Sequence, residues 1–241
     1  MAKIIVIGGR SSTGKSTSFC AYKDEKKKID IKGLPPEFTF LVNPINKMLP
    51  TKEAYDSYSK FVIENGKPSG NMLIGYDYDK TSKVLSLVNK NKKFKYIVID
   101  DFQYFLSMDF FNRQNETGFD KFGKIGFSGI NLIEQLRNMR EDLYVFLLTH
   151  TSKEGEGKDI VQRLKTIGKM LDEKFSFEGI FLPLLVAEKT WKQSKKKMEW
   201  YFRTVPNWAG DITKSPLGMF EEDKIPNDLH IVVEALNNYL K

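Results

Sequence analysis

Near the start of the chain, Gly9-Arg10-Ser11-Ser12-Thr13-Gly14-Lys15-Ser16 sets two glycines, a lysine and a hydroxyl at the spacing G-x-x-x-x-G-K-[ST]. That pattern cradles phosphate. Its glycines lack the Cβ atoms that would block a tight turn, so successive backbone N–H groups can converge on an anion. Lys15 is placed to reach the β- and γ-phosphates of a nucleoside triphosphate, and the Ser16 hydroxyl to ligate Mg²⁺. Gly9, Arg10, Ser11, Ser12, Thr13, Gly14, Lys15, Ser16 and Thr17 are the candidate nucleotide-binding residues. The alternative is a glycine-rich turn that matches by chance.

A second cluster fits the first. Asp100 closes the apolar run Tyr96-Ile97-Val98-Ile99, the Walker B arrangement, in which a carboxylate at a strand end holds the Mg²⁺ that bridges the β- and γ-phosphates. Ser16 and Asp100 are therefore the candidate metal ligands. Asp101 is the next carboxylate and a candidate general base for the attacking water; a simple turn after the strand would explain it equally well. His150, one of two histidines, ends another apolar run. With Thr149 it is placed to sense the γ-phosphate, or else it caps the strand. His230 falls in a C-terminal helix and carries no catalytic expectation.

These residues need a scaffold that gathers strand ends. The β-branched run Ile4-Ile5-Val6-Ile7 predicts a buried parallel strand before the loop, and residues 16–22 a helix after it. Further strands are expected at residues 37–44, 96–99 and 143–149, and helices at 52–63, 80–91, 130–139 and from about 160 to 175. The apolar "GIFLPLLVAE" and alternating "MEWYFRTV" predict paired strands, and a helix from Asn227 or Asp228 to Leu240 closes the chain. Strands alternating with helices specify an α/β fold, an open and mostly parallel sheet with helices on both faces. Ligands of such sheets sit at the carboxyl ends of the strands, where all four motifs fall. One domain is expected over residues 1–241, with a core to about 187 and an antiparallel strand extension and helix over about 188–241.

The 241 residues carry a net charge of +7, with lysine clusters at Lys26-Lys27-Lys28, around Lys92 and around Lys195. A basic surface suits nucleic acid, and solvated lysine faces account for it equally. A single cysteine, Cys20, excludes an internal disulfide and suits a reducing compartment. The first residues read as a strand and a functional loop rather than a signal peptide, and no apolar stretch reaches bilayer-spanning length. A cytoplasmic protein with no membrane partner is expected.

The order of motifs resembles phage-encoded P-loop ATPases with a RecA-like core, the Sak4-like single-strand annealing and recombination proteins. The resemblance runs over nearly the whole chain and rests on "GRSSTGKSTS", "FLVNPINKMLP", "YIVIDDFQYFL", "GFDKFGKIG", "LLTHT", "LKTIGKMLDEKFSFEGIF", "KSPLGMF" and "IPNDL". It implies a RecA-like core, ATP and Mg²⁺ as cofactors, single-stranded DNA as partner, and a homo-oligomeric ring or filament in the cytoplasm of an infected host. Phage replication or recombination proteins would be further partners. Loops facing DNA would correspond to residues 107–129 and 151–163. The first mixes Phe110, Phe111, Arg113, Phe119, Lys121, Phe122 and Lys124, which could stack bases and neutralise phosphates; core packing with solvated charge is the rival account. Lys165 and Lys169, one helical turn apart, are candidates for cations presented to a neighbour's triphosphate, or for an exposed helix face.

Two departures stand out. Where such cores place a catalytic glutamate at the second strand's end, this chain has Asn43-Pro44, so the base falls to Asp101 or turnover is slow. The stretch "KDEKKKIDIKGLPP", residues 23–36, looks like an insertion with no evident role. A DNA-dependent ATPase is the leading expectation. A nucleotide-gated helicase loader or packaging ATPase is the alternative, and a nucleotide kinase is disfavoured by the few, scattered arginines.

Overall fold

The computed structural model describes residues 1–118, 120–167, 176–195 and 197–241. In chain order, β1 (Lys3–Gly9) leads through the phosphate loop into a single 3₁₀ turn, Thr17–Phe19, and then a small hairpin, β2 (Tyr22–Asp24) and β3 (Ile29–Ile31). β4 (Thr39–Asn43), α1 (Lys52–Ser57), a second hairpin of β5 (Val62–Glu64) and β6 (Lys67–Ser69), β7 (Met72–Ile74), α2 (Tyr78–Lys90) and β8 (Tyr96–Asp100) follow. The remainder comprises α3 (Gln103–Asn112), α4 (Asp120–Arg137), β9 (Tyr144–Glu154), β10 (Val161–Leu164), β11 (Leu184–Lys192), β12 (Lys197–Arg203), β13 (Lys224–Pro226) and α5 (Leu229–Tyr239).

The main sheet runs β13-β12-β11-β1-β9-β8-β4-β7, with β10 pairing to β9. Every pairing from β11 to β7 is parallel; β11–β12, β12–β13 and β9–β10 are antiparallel. Alternation along β1 shows why the sheet needs cover on both sides. Val6 faces a core built with Val84, Leu85, Phe105, Leu132 and Leu136 of α2, α3 and α4. Ile5 and Ile7 face a second core built with Phe19, Ala54 of α1 and Leu229, Val232 and Leu236 of α5. The α/β, mostly parallel arrangement expected from the sequence is the one the chain forms. Among the described residues, no helix is long and apolar enough to cross a membrane.

Three local expectations fail, each for a physical reason. The helix over 16–22 is reduced to one 3₁₀ turn. Ser18 Oγ donates to the Lys15 carbonyl at 2.6 Å, and Leu34 N–H takes the Phe19 carbonyl at 2.9 Å, so side chain and distant backbone use groups a helix would need. The helix over 52–63 stops at Ser57, because Asn65 and Gly66 adopt positive φ (50° and 74°) and close the β5–β6 hairpin. Asn-Gly is a strong hairpin signal. In the helix expected from 160 to 175, residues 161–164 form β10 instead, with Gln162 and Leu164 buried while Val161 is exposed, a period of two, and residues 168–175 lie outside the described residues. The segment 107–129 is mostly the end of α3 and the start of α4 rather than loop.

Candidate nucleotide and metal site

Parallel pairing brings the expected residues to one rim. β9 lies between β1 and β8, with His150 registered opposite Gly9 and Leu148 opposite Asp100. The decisive contact crosses from loop to strand end: Ser16 Oγ donates to Asp100 Oδ1 at 2.9 Å. Phosphate loop and Walker B carboxylate are therefore within reach of one metal ion.

The loop itself is tightly wound. Ser12 and Gly14 both take positive φ, 62° and 86°. A Cβ on Gly14 would stand 2.5 Å from Asn227 Nδ2 and 3.2 Å from Trp200 Cδ1, so only glycine fits there. Lys15 is buried, and its Nζ donates to the carbonyls of Gly9 at 2.9 Å and Arg10 at 3.0 Å. Burial lowers its pKa to about 8, against the opposing pull of Asp101 and Asp100. A dehydrated ammonium bonded only to two carbonyls is poised to exchange them for phosphate oxygens.

Asp100 is fully buried, and burial pushes its carboxyl above the usual range in spite of the neighbouring Lys47 cation. Asp101 sits in the left-handed region (φ 69°), a conformation that costs an L-residue about 1–2 kcal/mol. Burial works against the charge of Asp101, but His150 and Lys47 together outweigh it and hold its pKa below the normal carboxylate range. His150 Nε2 lies 3.3 Å from Asp101 Oδ1. Gln103 Oε1 accepts from Thr149 Oγ1 and from His150 N–H, both at 3.1 Å, and so fixes the end of β9.

Lys47 was not foreseen. Its ammonium donates to Ser16 Oγ at 2.8 Å and to Asp101 Oδ2, and stands 2.9 Å from Asp100 Oδ2, an oxygen that makes no well-aligned hydrogen bond. A hydroxyl and two carboxylates around one cation form a hard oxygen set suited to Mg²⁺, with the ammonium standing in for it. The residues present thus fit the metal. Asn43 delivers the lysine: its Nδ2 donates to the Lys47 carbonyl at 2.8 Å and its Oδ1 accepts from Lys47 N–H at 3.1 Å. An amide so engaged positions the turn and is no base.

No protein-family model and no curated protein matches the chain. Among solved structures, a KaiC-like protein from the hyperthermophilic archaeon Pyrococcus horikoshii is similar, with 15% identity, a TM-score of 0.41, and coverage of 93% of this chain and 88% of that one. The assignment of roles rests on the site itself.

The other expected residues divide. Lys165 follows β10 rather than lying on a helix; its backbone N–H donates to the His150 carbonyl at 2.8 Å, which sets it beside the rim with its side chain exposed. Lys169 and Phe119 lie outside the described residues. In the 107–129 segment, Arg113 pairs with Asp109 at 2.8 Å and Glu116 at 2.9 Å, and Lys124 pairs with Glu116 at 3.1 Å. Lys121 covers the Phe110 and Phe122 rings, which also pack on each other. Among the described residues there, Phe111 and Phe127 are the exposed aromatics. A cavity of about 930 Å³ adjoins the loop at Arg10 and Ser11, walled by the ends of β9 and β11. The alternation of Thr151 to Glu154 with Val161 to Leu164 makes the second expected DNA-facing segment a β-hairpin.

Proposed function

We propose that this chain is a Mg²⁺-dependent ATP hydrolase with a RecA-like core whose turnover is coupled to single-stranded DNA. The observation that carries the ATPase reading is the 2.9 Å contact between Ser16 and Asp100. It unites two motifs, 84 residues apart, that have a common use only around a metal–triphosphate. Bound Mg²⁺ would neutralise charge between the β- and γ-phosphates. The chain's own groups then have distinct tasks. Backbone amides of Gly9 to Thr17 hold the phosphates and Lys15 bonds their outer oxygens. Ser16 and Asp100 hold the metal. Asp101, kept ionised by His150 and Lys47, accepts a proton from water. His150, backed by Gln103, reports the state of the outermost phosphate through Asp101. Lys165, and Lys169 with it, would serve a neighbouring subunit's site in a homo-oligomer.

The DNA part of the reading is supported by the +7 charge and by the resemblance to phage recombination ATPases, whose setting would be the infected cell's cytoplasm. A loader or packaging role on a protein partner is favoured by one observation: Arg113 and Lys124, the cations expected to meet DNA, are paired with acids of their own segment. The test is ATP turnover with and without single-stranded DNA, for the native chain and Lys15→Ala. DNA should raise turnover, and the substitution should lower it by about 10²-fold or more. Turnover indifferent to DNA removes the DNA half; ATP binding unaffected by Lys15→Ala removes the site.

A further inference from the structure

A second cavity, of about 330 Å³, flanks the phosphate loop at Gly14 and Thr17. Lys15, Ser16, Asp100 and Asp101 do not line it. A triphosphate whose β- and γ-phosphates lie at Ser16 and Asp100 must place its nucleoside clear of those two residues, and this cavity adjoins the loop without involving them. The volume falls in the range of small-ligand pockets.

Its walls are largely apolar, and three of the eight residues that line it, Tyr22, Ile29 and Ile31, come from the β2–β3 hairpin. Pairing of Tyr22 with Ile31 and of Asp24 with Ile29 puts Tyr22, Ile29 and Ile31 on one face and Lys23 and Asp30 on the other. The first face is half-buried and lines the cavity; the second is exposed. Trp200 of β12 forms the opposing wall, with its ring against Gly14. A two-stranded hairpin is marginal alone, and this one is locked in place. Asp228 accepts from Lys32 N–H at 2.8 Å and Gly33 N–H at 3.0 Å, and also caps α5 at His230 N–H. The adjacent Asn227 donates from Nδ2 to the Thr13 carbonyl at 2.8 Å, which orients its amide. Its Oδ1 is left buried at the cavity without a hydrogen bond. An orphaned acceptor of that kind is unfavourable unless a ligand supplies a donor.

We propose that this cavity seats the nucleoside of the bound triphosphate, with the base between Trp200 and the Tyr22 face of the inserted hairpin, and Asn227 Oδ1 accepting from a sugar hydroxyl or exocyclic amine. The assignment rests on the phosphate-loop reading and gives residues 23–36 a role as one wall of a nucleoside clamp. The test compares MgATP with Mg-tripolyphosphate, which has the phosphates and lacks the nucleoside. In a full chain carrying Trp191→Phe and Trp208→Phe, ATP should quench Trp200 fluorescence and tripolyphosphate should not. Trp200→Ala should weaken ATP binding about tenfold, in line with the loss of one stacked base, and leave tripolyphosphate binding unchanged; Asn227→Ala, which also releases the Thr13 carbonyl of the phosphate loop, should weaken ATP binding more than tripolyphosphate binding. Tyr22→Ala, on a partly exposed hairpin, should repeat that split without a folding defect. Tripolyphosphate binding with ATP affinity indifferent to all three substitutions would overturn the nucleoside assignment alone. Binding of neither ligand would overturn the phosphate-loop reading and the clamp with it.

Discussion

Lys47 places its ammonium 2.9 Å from Asp100 Oδ2, pairing a lysine side chain that is 27% exposed with a carboxylate that is completely buried. The pair sits where the proposed metal belongs, so cation and lysine compete for the same oxygens. Lys47→Met should leave two buried carboxylates without their nearest counter-charge. The metal-free protein should lose roughly 2–3 kcal/mol, less than for a fully enclosed pair because water still reaches the lysine. Added Mg²⁺ should raise the melting temperature of the variant more than that of the native chain. Equal Mg²⁺ responses in thermal melts would show that Lys47 does not occupy the metal's place.

Asp101 is the chain's remaining candidate base, since Asn43 is an amide held by the Lys47 backbone. Asparagine tolerates the left-handed conformation at φ 69° almost as well as aspartate, so Asp101→Asn should fold and bind ATP. Its hydrolysis should fall by about 10²–10⁴-fold. Single-turnover measurement separates the chemical step from binding, and an unchanged rate would mean that Asp101 only anchors Lys47 and His150.

Burial of Lys15 predicts an unusual pH dependence of stability in the metal- and nucleotide-free protein. Its pKa falls from the ordinary lysine value of 10.5 to about 8 in the folded chain, so between those values the unfolded chain binds more protons than the folded one. Stability contributed at this site therefore rises as pH climbs from about 8 towards 10.5. The full swing is on the order of 3 kcal/mol. Lys15→Met, which cannot ionise, lacks the swing. Urea unfolding of both proteins across this range should show the native chain gaining on the variant as pH rises; a constant difference would mean that Lys15 titrates normally.

What the sequence made legible was what depends on local spacing. The phosphate loop is eight consecutive residues, and Asp100 follows four apolar ones, so strand and motif announce each other. Lys47 could not be read this way. It reaches the site through a turn in which Asn46 takes φ 52° and Asn43 grips the chain four residues on. The lysine meets Asp100 only once β4 lies beside β8. Asn227 meets Thr13 across 214 residues, and no pattern encodes such a contact. Val161 and Leu164, three apart, satisfy a helical spacing, and only their opposite exposure in the sheet exposes the period of two. The loop's helix failed for a composition reason visible in hindsight: Ser16-Thr17-Ser18 offers hydroxyls that compete for the backbone.

Arg203 tests how firmly the extension that carries Trp200 is built. Its side chain is 1% exposed and pairs with Asp211, itself fully enclosed, while Nη1 donates to Asn207 Oδ1 at 2.9 Å and Nε stands 3.1 Å from Glu188 Oε1. Two charges removed from water are tolerable only together. Arg203→Met should strand Asp211 and cost about 3–5 kcal/mol, whereas Arg203→Met combined with Asp211→Asn should recover a large part of that loss. Asn at 211 can still accept from the Thr213 backbone N–H through its one carbonyl oxygen, and gives up the Asn207 N–H that the second carboxylate oxygen holds now. Urea denaturation of the two single variants and the double gives the coupling directly. Additive losses would mean that the arginine is held by packing of its stem rather than by its buried partner, and that Asp211 serves only the turn it caps.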